Sequence, residues 1–125
     1  SLLIANRRAA NIISIEAKKD KSDFTGIPDP KRFELEEERV LFAVLTELEK
    51  QVRDLIMKEN FQEAMKALAS LRHPLDNYFD NVIVNSENYS LRKNRLKTLS
   101  LVGKIMNQVA DFSLIENREE KLNFE

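Results

Sequence analysis

Residues 34–59, ELEEERVLFAVLTELEKQVRDLIMKE, carry Leu41, Val44, Leu45, Leu48, Val52, Leu55 and Ile56 at spacings of three and four. That is the 3.6-residue period of a single helix face, so the stretch predicts a long amphipathic helix with one side in a core. Glu34, Glu36, Glu37 and Glu38 crowd its first turns, where carboxylates complement the positive end of the helix dipole. Read this way they are a solvated helix start, not a catalytic pair.

Working outward, Phe61, Ala64, Met65, Leu68 and Leu71 form a stripe that predicts a third helix over about 61–71. Pro74 opens a fourth at a position where a missing N–H is harmless, with Leu75, Tyr78, Phe79, Val82 and Ile83 as its apolar residues. NSENYS (85–90) reads as a polar connection. A fifth helix is predicted from about Ser90 to near Phe112. Leu96, Leu99, Gly103, Met106 and Ala110 mark one stripe, widened by Val102, Ile105, Val109 and Phe112. So broad a face predicts packing between several helices. Gly103 in mid-helix costs about 1 kcal/mol relative to Ala, which predicts a close helix approach there. The charged segment 115–125 is expected to be a frayed tail. Upstream, Ala5, Ala9, Ala10, Ile12 and Ile13 predict a first helix to about Lys19. Residues 20–33 form one long loop, pinned by Phe24, Ile27 and Phe33. No domain boundary is expected in that loop, because the first helix could not bury a core alone. The expectation is an all-α fold: one bundle of about five helices over residues 1–125.

Composition agrees. Two glycines and three prolines in 125 residues are too few for the turns of a β fold. Without cysteine there are no disulfides, thiolate metal sites or cysteine nucleophile. No apolar run approaches the ~18 residues of a membrane span. The net charge of −1 gives no global basic field, so any nucleic-acid role needs a local patch. The chain starts at Ser1 with the helical pattern under way, which predicts a segment of a longer chain.

No reaction centre is visible. His73, the one histidine, precedes a proline at a helix start, where a cap or exposed role is expected. No partners stand at metal-ligand spacing, and two isolated glycines make no phosphate loop. Asp80 is expected to be an internal salt-bridge partner rather than a general base. What remains is a surface. Arg7, Arg8 and Asn11 lie on the first helix; Asn85, Asn88 and Tyr89 lie in or beside the polar connection; Arg92, Lys93, Asn94, Arg95 and Lys97 open the fifth helix. Guanidinium groups grip phosphate, amides read unstacked base edges, and a tyrosine ring stacks on a base. The structural alternative is that Arg92 and Arg95 pair with Asp80, Glu87 or the 34–38 cluster, and that Asn11 or Asn94 caps or bridges helices.

The segment FDNVIVNSENYSLRKNRLKTLSLVGKIMNQVADFSLIE (79–115) resembles the C-terminal end of the beta subunit of bacterial glycyl-tRNA synthetase. Phe79, Asp80, Val82, Val84, Glu87, Leu91, Arg92, Asn94, Arg95, Leu96 and Val109 to Ser113 carry the likeness. Asn6-Arg7-Arg8, Asn11-Ile12 and Pro74-Leu75-Asp76 add to it. The Leu-Arg…Arg-Leu run is similar to DALR-type anticodon-binding domains, although Tyr89-Ser90 stands where an acidic residue and alanine are expected. The resemblance implies a tRNA-binding domain, non-catalytic alone, in a cytoplasmic tetramer of two alpha and two beta subunits. The alpha subunit would bind ATP and glycine, so this segment needs no cofactor or metal. The implied partners are tRNA-Gly, the alpha subunit and the rest of the beta subunit, with no membrane and no DNA. Arg7, Arg8, Asn11, Asn85, Arg92, Lys93 and Lys97 are then the expected RNA contacts. Asn94 and Arg95 stand evenly between RNA contact and internal support. The other class of reading is a helical bundle that docks on another subunit or domain.

Overall fold

The computed structural model describes the backbone of residues 1–124 and the side chains of 1–115. Helix α1 (Leu2–Asp20) starts where Ser1 Oγ accepts the Ile4 N–H at 3.3 Å. It ends where Lys21 takes the left-handed conformation (φ 50) and the Ser22 N–H reaches back to the Ala17 carbonyl at 3.2 Å. A 3-10 turn follows at Pro30–Arg32, with Asp29 as its cap. Then come α2 (Glu36–Met57), α3 (Phe61–Ala67) running on into a 3-10 turn at Leu68–Leu71, α4 (Arg72–Asn81) and α5 (Tyr89–Phe124). There is no strand among the described residues.

The expected all-α bundle is therefore the fold. The α2 stripe buries Leu41, Leu45, Leu48 and Val52, which join Leu96, Leu99, Val102, Ile105 and Val109 of α5 in one core. Ala5 and Ala9 let α1 lie against that core, and α5 packs against α1, α2 and α3. Phe61 meets Phe112 edge-on at 5.9 Å, joining α3 to the far part of α5.

Several local expectations need correction. Helix α5 runs on to Phe124, beyond the end expected near Phe112. Helix α4 stops at Asn81, so Val82 and Ile83 lie outside it. Val82 (φ −109, ψ 125) is extended, and Val82 and Val84 are buried while Ile83 faces out, an alternation the helical period does not give. Gly103 marks no close approach, since a Cβ there meets nothing within 4 Å. In the 20–33 loop Phe24 is buried and Phe33 packs on Phe42 at 5.4 Å, but Ile27 is 74% exposed and Pro28 is buried instead. His73 is exposed. Asp80 is exposed with no cation within 4.0 Å among the described residues, so it is no internal salt-bridge partner.

Candidate nucleic-acid interface

The basic run of α5 divides by helix geometry. Arg92 and Arg95, three residues apart, turn inward. Lys93 and Lys97, four apart, lie one above the other on a face turned away from both. Asn88 caps this helix: its Oδ1 accepts the Leu91 N–H at 3.3 Å, and its carbonyl accepts the Arg92 N–H at 2.9 Å.

Arg92 lies between two carboxylates of α1. Its Nη2 donates to Glu16 Oε2 at 2.9 Å and lies 2.8 Å from Asp20 Oδ2. The Asp20 contact is an ion pair whose geometry falls short of an aligned hydrogen bond. Only 13% of the Arg92 side chain is exposed. Arg92 holds the Asp20 carboxyl below its usual range, and the two carboxylates fix the guanidinium more firmly in its charged form.

Arg95 goes deeper. Its Nε donates to Glu38 Oε1 at 2.9 Å, with the two side chains 6% and 1% exposed. Its Nη1 donates to the Ile83 carbonyl at 2.9 Å, and its own carbonyl accepts the buried Tyr78 hydroxyl at 3.1 Å. Glu38 also accepts the N–H groups of Glu34 and Leu35 at 2.9 and 3.0 Å. Burial pushes the Glu38 carboxyl up, but the Arg95 hydrogen bond, the two N–H groups and the Arg95 charge together carry it below its ordinary value. Burial pushes the Tyr78 phenol far up, and the nearby Glu38 charge adds to this. One polar knot thus ties the start of α2, α4 and its extended exit to α5. The 34–38 cluster was among the partners expected for an inward arginine; Glu16 and Asp20 were not.

Asn94 is buried and clamps the loop before α2. Its Nδ2 donates to the Asp29 carbonyl at 3.0 Å, and its Oδ1 accepts the Asp29 N–H at 2.6 Å.

The remaining expected site residues are on the surface. Lys93 is exposed and Lys97 half-buried, and neither has a carboxylate within 4.0 Å among the described residues. They line a groove of about 320 Å³ with Ile27, Asp29, Arg32, Tyr89, Ser90 and Asn94. Tyr89 is 54% exposed. Arg8 lies over the Phe79 ring at 4.4 Å and shares a second groove, of about 460 Å³, with Asn85. A third concavity, holding Asn85, Tyr89 and Arg92, lies between the two. Arg7 and Asn11 are exposed. At 100° per residue they fall roughly opposite Ala5 and Ala9, on the outer side of α1. The structure therefore brings Arg8, Asn85, Lys93 and Lys97 along one side of the molecule and leaves Arg7 and Asn11 facing away from it. Arg32 was not among the expected site residues: the Asn94 clamp on Asp29, far away in sequence, helps bring it beside α5. No group of three potential metal ligands stands together among the described residues.

A family model, the DALR anticodon binding domain, matches residues 5–117. The chain belongs to this family. Among curated proteins it is similar to the glycine–tRNA ligase beta subunit of Rhodospirillum centenum, 45% identical over 93% of this chain and 16% of that protein. The corresponding subunit of Paracoccus denitrificans is 40% identical over 93% of this chain and 17% of its own length. The chain thus spans about a sixth of the relatives it matches. No solved structure matches it. In this DALR domain Arg92 of the Leu91-Arg92 motif ties α5 to Glu16 and Asp20 of α1. Tyr89, standing where an acidic residue was expected, puts an aromatic ring at the mouth of the lysine groove. No helix among the described residues is long and apolar enough to cross a membrane.

Proposed function

We propose that this DALR domain binds the anticodon end of tRNA-Gly, as part of the beta subunit of a cytoplasmic glycine–tRNA ligase. In this reading the chemistry lies elsewhere: the alpha subunit forms glycyl-adenylate from glycine and ATP. The DALR domain contributes recognition and, with the rest of the beta subunit, the assembly. The observation that carries the reading is the division of α5. Arg92 and Arg95 are occupied by carboxylates, while Lys93 and Lys97 face a groove in which the Asp29 carboxylate pairs with Arg32 and, among the described residues, none lies within 4.0 Å of either lysine. Unpaired cations beside an exposed tyrosine suit the phosphates and splayed bases of a loop. Arg8 and Asn85 extend the surface, and Arg7 and Asn11 reach a more distant part of the RNA. Arg92, Asn94 and Arg95 support the surface from beneath.

The test is titration of the folded chain with tRNA-Gly and with a tRNA of altered anticodon over a salt series. Preferential binding of tRNA-Gly that weakens steeply with salt is expected. Absence of binding at low salt would contradict the proposal. The second reading, docking on another subunit or domain, is supported by an apolar groove of about 360 Å³ lined by Ile27, Phe42, Leu45 and Leu101. Docking there would be nearly insensitive to salt.

A further inference from the structure

Resting on that reading, we infer that the groove between residues 27–32 and the first turns of α5 seats one unpaired nucleotide of the RNA. Arg32, Lys93 and Lys97 hold its phosphates, Tyr89 stacks on its base, and Asn94 is the positioning residue that builds the groove.

A relay of contacts builds the groove. The 27–32 segment belongs to the long loop, so nothing in its own secondary structure fixes it beside α5. Asn94 does so by offering one donor and one acceptor to the main chain of Asp29, at 3.0 and 2.6 Å. An amide carries its donor and its acceptor on separate atoms, so it can pair with a backbone N–H and C=O side by side. Asp29, held in this way, turns its carboxylate to the 3-10 turn, accepting the Lys31 N–H at 3.0 Å and lying 3.6 Å from Arg32 Nε. Arg32 is thereby directed into the groove that Lys93 and Lys97 enter from the other wall. On that wall Lys97 Nζ lies 4.0 Å from where a Cβ on Gly26 would stand, and Gly26 has φ +105, which L side chains rarely adopt. Three cations thus converge from two segments, Arg32 standing 61 positions before Lys93, and Tyr89 lines the same groove.

The chemistry selects the ligand. Arg32 offers a planar fork for phosphate and the lysines offer point charges. A tyrosine ring accepts any base face, which an unstacked nucleotide can offer and a paired one cannot. The Asp29 carboxylate, already committed to Lys31 and Arg32, keeps Arg32 ordered before RNA arrives.

A double-mutant cycle with the anticodon stem-loop of tRNA-Gly as probe tests this, each variant being checked for a cooperative melt. Arg32→Gln is expected to weaken binding and reduce the salt slope by about 0.7, the amount for one phosphate contact on a single strand. Tyr89→Leu is expected to weaken binding roughly tenfold or more without changing that slope. In the Asn94→Ala background, Arg32→Gln is expected to have no further effect, because Arg32 has already lost its placement. A merely structural role for Asn94 would leave the Arg32→Gln effect intact in both backgrounds, and that result would overturn the inference. If Asn94→Ala does not fold, Asp29→Ala takes its place, breaking the relay at the surface with the same expectation. Wild-type binding that responds to Lys93→Gln but not to Arg32→Gln or Tyr89→Leu would sink the inference and leave the anticodon reading standing. No wild-type binding at low salt would sink both.

Discussion

Arg95 and Glu38 meet across 2.9 Å with almost no solvent on either side, joining the basic run of α5 to the start of α2. Every side-chain nitrogen and oxygen of this pair makes at least one hydrogen bond. The Ile83 carbonyl takes Arg95 Nη1, and the Glu34 and Leu35 N–H groups take Glu38 Oε2. A buried pair of this completeness positions elements, and removal of one partner strands the other.

Arg95→Ala is therefore expected to destabilise the fold by about 3–5 kcal/mol, measured as a shift in urea midpoint. Glu38→Met together with Arg95→Leu should recover part of that loss. Recovery should stop short of complete, because Glu38 also caps two N–H groups.

The same pair sets the acid response. Glu38 sits below its ordinary value of 4.5, and Asp20, beside Arg92, below its own of 3.8. A carboxyl depressed in the folded state contributes stability that is full above its unfolded value and is lost as pH falls through its folded value. Stability is expected to begin falling as pH drops below 4.5 and to fall further below 3.8. A urea-midpoint series against pH should show a shallower acid slope for Glu38→Gln than for wild type. Equal slopes would show that Glu38 carries none of the dependence.

Gly103 gives a prediction of opposite sign. Its missing Cβ faces open space, so Gly103→Ala adds helix propensity without a clash. The variant should be more stable by about 0.8–1 kcal/mol in thermal or urea unfolding. A loss of stability would reveal a contact at that position.

Much of this fold was legible from period alone. The α2 stripe needed only spacings of three and four, and Leu41, Leu45, Leu48 and Val52 are buried as those spacings imply. Where the period changes from 3.6 to two, at Val82–Val84, three residues were too short a run to announce the change. Gly103 misled because a glycine's reason for being in a helix is invisible without its neighbours. The site was half legible. The identity of the basic residues was plain, but which of them are occupied depends on carboxylates 76 and 57 positions away, at Glu16 and Glu38. Arg32 could not be read at all, because its place depends on the Asn94–Asp29 clamp, 65 positions apart.

Arg92→Ala should lower stability, since it leaves the buried Glu16 without its partner, and the loss should be smaller than for Arg95→Ala because the site is more open. Any weakening of RNA binding should leave the salt slope near the wild-type value, because this guanidinium neutralises carboxylates and not phosphates.

The most direct measurement of the account is the salt dependence of anticodon stem-loop binding by Lys93→Gln with Lys97→Gln, taken with the melting temperature of the same protein. An unchanged melting temperature is expected, with much weaker binding and a salt slope smaller by about 1.4, the amount for two phosphate contacts on a single strand. Wild-type affinity and slope in that variant would contradict it, because the unpaired lysines of α5 would then have no part in holding RNA.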